Sequence, residues 1–238
     1  MKSNYQGSSS HQCYKQRNIW FPLIFSTLIA LVFTFSIFRN FSYWGIQDWD
    51  AHLFYHAVPR HTLIEYHQFP LWNPYNCGGT VMLANPESSF LSPWFLLILI
   101  FGTVKGIKLA IFLHLIIGLL GMYLLARHYK LDALTASLPA CVYMLSSMYA
   151  LNLTVGMTWF LSVVYLPWAF LCYLKGFKKW KFTLLSGLFL VLMYFEINVR
   201  PMIIDIETKI ACSVMLKISK GSNAINQHHL YYFFISLF

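Results

Sequence analysis

Charge is what this sequence has least of. Among 238 residues only 11% are Asp, Glu, Lys or Arg, and the acids number eight, where a soluble domain carries about a quarter charged residues. The deficit is patterned. Long uncharged runs alternate with short basic clusters, as repeated bilayer crossing requires and uniformly oily composition does not. Paired-cysteine chemistry is also missing. Cys13, Cys77, Cys141, Cys172 and Cys212 form no CxxC pattern, and Cys141 and Cys172 lie inside apolar runs, where a free thiol behaves as a small hydrophobe. No disulfide framework or zinc site is indicated. The net charge of +9 does not indicate nucleic-acid binding, because the basic residues are split among short connections instead of clustered on one face. They read as flanks gripping an anionic leaflet.

What is present is apolar, at 58% of residues with a mean hydropathy of +0.57. Residues 1–18 form a polar tail with Lys2, Lys15 and Arg17. Residues 19–38 are an uncharged run of about 30 Å as a helix, enough for one crossing. The run ends in Ser36-Ile37-Phe38-Arg39, which is no signal-peptidase site, so it reads as an uncleaved anchor. Residues 39–108 form one long loop. Within it, segment 93–101 is apolar but roughly 14 Å long as a helix, too short to span, and reads as re-entrant or interfacial. Further spans are expected at about 109–126, 134–151, 157–174 and 182–196, with a tight turn at Asn152–Gly156. The fold class is therefore all-α, a polytopic transmembrane bundle of about five spans with a large extracytoplasmic first loop. Residues 197–238 carry scattered charges and read as the end of a truncated or altered chain.

Orientation follows from the positive-inside rule. If segment 93–101 does not cross, Lys2, Lys15, Arg17, Arg127, Lys130 and the lysines at 175, 178, 179 and 181 are cytoplasmic. Arg39, Arg60, Lys105 and Lys108 are then outside, which makes nine basic residues against four. If it crosses, the cytoplasmic side holds five and the outer side eight. The first arrangement puts the N-terminus in the cytoplasm, and both the long loop and the Asn152–Gly156 turn outside.

Polar chemistry concentrates in that loop. Placed on a helix, Asp48, His52 and His56 share one face at spacing four, with Leu53 and Ala57 on an adjacent apolar face. The pattern fits an amphipathic helix at the membrane surface, which Pro59 should end or kink. Two readings of Asp48 and Asp50 stand open. One is a carboxylate pair acting as general base or holding Mg²⁺ or Mn²⁺. The other is a solvated helix start. Asp48, His52 and His56 also have the spacing of a metal site, or of plain interfacial histidines. The stretch Gln68–Gly79, with Asn73 and Asn76 among aromatics and turn formers, suits sugar or head-group binding and equally an interfacial belt. Arg60 and Glu87 complete the loop's candidate binding groups. Glu196 ends the last clear span, where an ionisable residue is either functional or solvated.

At this loop the chain resembles a known family. Asp48-Trp49-Asp50, Tyr66-His67-Gln68-Phe69-Pro70-Leu71-Trp72-Asn73-Pro74-Tyr75, Cys77-Gly78-Gly79-Thr80, and Leu83-Ala84-Asn85-Pro86-Glu87-Ser88-Ser89 with Ser92-Pro93 are similar to segments of the YfhO-like bacterial membrane proteins. Gly118, Gly121, Met122, Tyr123, Leu124, Ala126 and Arg127 fit as well. Those proteins look like members of the GT-C superfamily of polytopic glycosyltransferases. The resemblance covers roughly residues 20–200. It implies a bacterial inner-membrane enzyme that transfers a sugar from a polyprenyl-phosphate-linked donor at the outer face. Asp48 and Asp50 match the family's base or metal ligands. A transporter or flippase, or a non-catalytic product of a truncated gene, are the other readings.

Overall fold

A computed structural model describes residues 20–43, 45, 47–83, 85, 87–177 and 179–196. The expected tails at 1–18 and 197–238 lie outside the described residues. The described residues are mostly helical: α1 (Trp20–Arg39), α2 (Trp49–Glu65), α3 (Phe95–Phe101), α4 (Thr103–His128), α5 (Ala133–Met144), α6 (Ser147–Val155), a 3₁₀ segment (Thr158–Tyr165), α7 (Leu166–Gly176) and α8 (Trp180–Glu196). One two-residue antiparallel ladder, β1 (Trp72–Asn73) with β2 (Thr80–Val81), pairs Trp72 with Val81 and Asn73 with Thr80.

Among the described residues three helices are long and apolar enough to cross a membrane: Trp20–Arg39, Thr103–His128, and Ala133–Val155 taken as one. The first coincides with the uncharged run 19–38 expected to span. It turns a stripe of Pro22, Ser26, Ala30 and Thr34 inward, and such small residues let helix backbones approach closely in a membrane. It runs antiparallel to α4, since Phe21 meets Tyr123 and Phe38 meets Phe112. Helix α4 starts at Thr103, not at 109, so Lys105 and Lys108 are helical and not part of the loop. The seven residues of α3 are too short to span, as the sequence implies. α3 folds back on α4 through Gly102, at φ 85°, and Gly106, whose absent side chain admits the Ile98 backbone.

Two expected spans are interrupted. The run 134–151 breaks between α5 and α6, where Ser146 is extended and its hydroxyl accepts the Tyr149 N–H as an N-cap. The run 157–174 opens as a 3₁₀ segment for a reason written at Pro167. Pro167 has no N–H to give the Val163 carbonyl. That oxygen takes the Leu166 N–H and the Tyr143 hydroxyl instead, the latter at 3.0 Å. The turn expected at Asn152–Gly156 is present: Gly156 adopts φ 101°, and the Gly156 and Met157 N–H groups close on Leu153 and Asn152.

Helix α7 runs alongside α4, with the Trp168 indole against Gly121 and donating to the Ile117 carbonyl at 2.9 Å. α8 returns antiparallel to α7. Ser186 bonds the Ala169 carbonyl at 2.9 Å, and Phe189 stacks near Tyr165 and Trp168. This brings the last residue of α8, Glu196, back towards α2 and α3.

Candidate functional site at the loop end of the bundle

Helix α2 behaves differently from an amphipathic surface helix. It runs through Pro59 to Glu65. Its buried face carries His52, His56, Val58 and Pro59, whereas Leu53 and Ala57 are half-buried. The histidine face therefore points inward, the reverse of the expected arrangement. Imidazole tolerates this because it can be neutral near pH 7. Burial pushes His56 down to about 4, with His52 adding to the effect. Burial also lowers His52, against the opposing pull of Glu87 and Asp48. The Nδ1 atoms of both are buried with no partner among the described residues.

Asp48 and Asp50 are exposed at the start of α2. Asp48 is the residue before the first helical turn but makes no side-chain cap bond. Its backbone N–H reaches the Val155 carbonyl at 3.2 Å, and the Trp49 indole donates to the Thr154 carbonyl at 3.2 Å. The loop helix and the Asn152–Gly156 turn thus lie at the same end of the bundle. Asp50 Oδ1 accepts the Ala51 N–H at 2.8 Å. Residues two apart on a helix do not face each other, and among the described residues no three His, Cys, Asp or Glu side chains gather as a metal site. Asp48 with the two histidines therefore forms no gathered metal set among the described residues. Asp48 or Asp50 with water and phosphate oxygens would suit hydrated Mg²⁺.

The other expected binding residues are dispersed. Arg60 donates through Nε to the Ile98 carbonyl at 3.0 Å, pinning α2 to α3. Asn73 is fully buried, its Oδ1 taking the Tyr75 N–H at 3.0 Å and its Nδ2 lacking a partner among the described residues. Asn76 closes the following turn through its carbonyl, which takes the Gly79 N–H at 2.7 Å. Glu87 is exposed; burial pushes the Tyr55 phenol up, and the nearby Glu87 carboxylate adds to the effect.

Beside Trp49, between α1, α2, α4 and α6, lies a mostly apolar cavity of about 410 Å³, lined among others by Phe33, Ile37, Trp49, Leu53 and Ile111. Lys108 also lines it, at only 9% exposure. Its Nζ donates to the carbonyls of Asn40, at 2.5 Å, and of Tyr43. An ammonium has three donors, and no carboxylate among the described residues pairs with this one. The sequence placed Lys108 among loop charges and so missed it; a lysine immediately before an eighteen-residue uncharged run was the available signal.

Glu196 anchors a second cluster. It is 5% exposed, not solvated at a helix end. Its Oε2 lies 3.0 Å from His114 Nε2, and its Oε1 accepts from Ser92 at 2.9 Å and Tyr165 at 3.0 Å. Trp94 donates its indole N–H to the Tyr165 hydroxyl. A cavity of about 30 Å³ joins this cluster to His56, Ser89 and Thr158. Two of the expected residues, His56 and Glu196, therefore share one cavity. Ser92, Trp94, His114 and Tyr165 were missed. His114 alone carried a signal, as the one ionisable group inside the 109–126 run.

No protein-family model, no curated protein and no solved structure matches this chain.

Proposed function

We propose that this is a multi-pass membrane glycosyltransferase of the GT-C kind, with about five spans and the α2 end of the bundle facing outward, transferring a hexosyl group from a polyprenyl-phosphate donor. One observation carries the reading. The cavity of about 410 Å³ between α1, α2, α4 and α6 joins apolar walls to a buried cation without a carboxylate partner among the described residues. Apolar walls suit an isoprenoid chain, and an uncompensated buried ammonium suits its phosphate, because a buried charge is costly until it is paired. Trp49 lines this cavity, and Asp48 and Asp50 flank it in sequence.

In this reading Asp48 is the general base that takes the proton of the acceptor hydroxyl. It is preferred to Asp50, whose Oδ1 is held by the Ala51 N–H. Lys108 holds the phosphate that leaves. A divalent cation would supply further charge neutralisation at that phosphate, and no step depends on it here. The exposed aromatics Trp72 and Tyr75 near Asn76 offer flat faces for an acceptor sugar.

The test is sugar transfer in proteoliposomes holding the full chain, supplied with hexosyl isoprenyl phosphates. Asp48→Asn should lower the rate about 100-fold or more, with Asp50→Asn milder. Equal rates for Asp48→Asn and the parent would remove Asp48 from the role.

A second reading has one observation in its favour. A transporter for a lipid-linked intermediate needs ionisable groups between its helices, and His114 with Glu196 supplies such a pair. Movement of an intact labelled lipid across the vesicle, without sugar transfer, would select it.

A further inference from the structure

The Glu196 cluster fixes the place of nearly every polar hydrogen. His114 Nδ1 lies 2.6 Å from the Ala110 carbonyl oxygen, which can only accept, so Nδ1 carries hydrogen. The Tyr165 hydroxyl receives the Trp94 indole N–H, so its own hydrogen goes to Glu196 Oε1. Ser92 Oγ receives the Trp94 backbone N–H at 3.3 Å, so its hydrogen also goes to Oε1. One position remains undetermined by geometry, the hydrogen between His114 Nε2 and Glu196 Oε2, 3.0 Å apart. It sits on nitrogen in an ion pair or on oxygen in a neutral pair.

We propose that this pair is a proton-binding site, loaded and emptied through water in the small cavity that leads to His56. Loaded, the proton rests on Glu196 Oε2 as a carboxyl hydrogen donated to His114 Nε2, because a buried pair of opposite charges is costly to desolvate, and the pair is neutral overall. Emptied, it is neutral imidazole beside a carboxylate, and the proton has passed to cavity water. The Ser92 and Tyr165 hydroxyls, both donating to Oε1, stabilise the emptied carboxylate. No electron moves and no further reactant is needed.

The path is built from three observations. The cavity is mostly apolar but carries the polar groups of His56, Ser89, Ser92, His114, Thr158 and Glu196, and its volume of about 30 Å³ has room for a water or two. His56 lines it, and its Nδ1 is buried without a partner among the described residues, as water there would relieve. His56 sits on α2, whose exposed N-terminal turn opens to the loop. The groups facing Glu196 are His114 from α4, Tyr165 from the 3₁₀ segment, Ser92 ahead of α3, His56 across the cavity from α2, and Tyr149 from α6, whose buried hydroxyl also lacks a partner among the described residues. Among the described residues none of these groups is a fixed charge, and the pair's protonation sets the charge they share. The inference does not depend on sugar transfer.

The experiment is infrared difference spectroscopy of the full chain in lipid nanodiscs, stepped in pH and exchanged from H₂O to D₂O. A carboxyl C=O band that exchanges for a carboxylate band is expected, and Glu196→Gln should abolish it while preserving an oxygen for Ser92 and Tyr165. Carbon-13 labelling of glutamate in the unsubstituted chain assigns the band without any substitution. His56→Phe, which fills the cavity, should slow deuterium uptake by that carboxyl several-fold. A band that neither shifts with the label nor disappears in Glu196→Gln overturns the site. Unchanged uptake in His56→Phe overturns the path.

Discussion

Ser88 Oγ lies 3.2 Å from the Tyr55 carbonyl oxygen, the acceptor that Pro59 leaves without its helical donor. In a regular helix the amide of residue 59 would bond the carbonyl of residue 55. Proline has none, and a hydroxyl from the following loop takes its place. This is why α2 continues to Glu65.

The coupling has a measurable consequence. Ser88→Ala should cost about 1 kcal/mol, the usual price of an unpaired carbonyl. In a Pro59→Ala background the same change should cost close to nothing, because the helical bond is restored. Chemical denaturation in detergent micelles, run as a double-mutant cycle, checks this. Equal costs in both backgrounds would mean that Ser88 acts elsewhere.

Two glycines of α4 should respond differently to alanine. A Cβ at Gly121 would lie 2.5 Å from the rigid Trp168 indole, while at Gly118 it would meet the Met144 sulfur at 2.3 Å. Thioether chains re-pack and indoles do not. Gly121→Ala should lower stability by about 1–3 kcal/mol, Gly118→Ala by less. Thermal unfolding followed by tryptophan fluorescence separates them.

His56 should make stability depend on pH. Its pKa falls from 6.5 in the unfolded chain to about 4 in the fold. Its contribution is complete above pH 6.5 and is lost as pH drops towards 4, because there the unfolded chain binds a proton that the fold refuses. The loss is on the order of 3 kcal/mol across that window. Denaturation midpoints measured from neutral to acid pH should fall in the parent and flatten in His56→Gln. His52, lowered for the same reason, adds in the same direction.

Sidedness can be read in a chain with Cys13 and Cys212 replaced by serine. Cys77 is exposed in the loop, while Cys141 is half-buried and Cys172 buried within the bundle. A membrane-impermeant maleimide added to intact cells should label Cys77 promptly. Labelling only after permeabilisation would turn the bundle over.

How much of this the sequence revealed depends on the range of the interactions. Local features were legible: the α1 helix from its uncharged run, the Gly156 turn from a glycine in a long apolar stretch, and the short α3 from its length. The continuation of α2 through Pro59 was not, because its cause is a serine 33 residues away in sequence. The inward histidine face was read backwards, since a histidine counts as polar in any hydropathy pattern yet is buried here as a neutral ring. Glu196 was named as a candidate, but its partner His114 is 82 residues distant and no spacing rule joins them. Lys108 was counted as a loop charge because the start of α4 depends on the Gly102 and Gly106 packing against α3.

The most direct measurement on the donor cavity is native mass spectrometry of the full chain titrated with an isoprenyl monophosphate, comparing the parent with Lys108→Gln. A phosphate held by the buried ammonium predicts saturable binding that weakens at least tenfold, about 1.4 kcal/mol, in Lys108→Gln. Equal binding by the two proteins, or none by the parent, would contradict the assignment of this cavity to a lipid-phosphate donor.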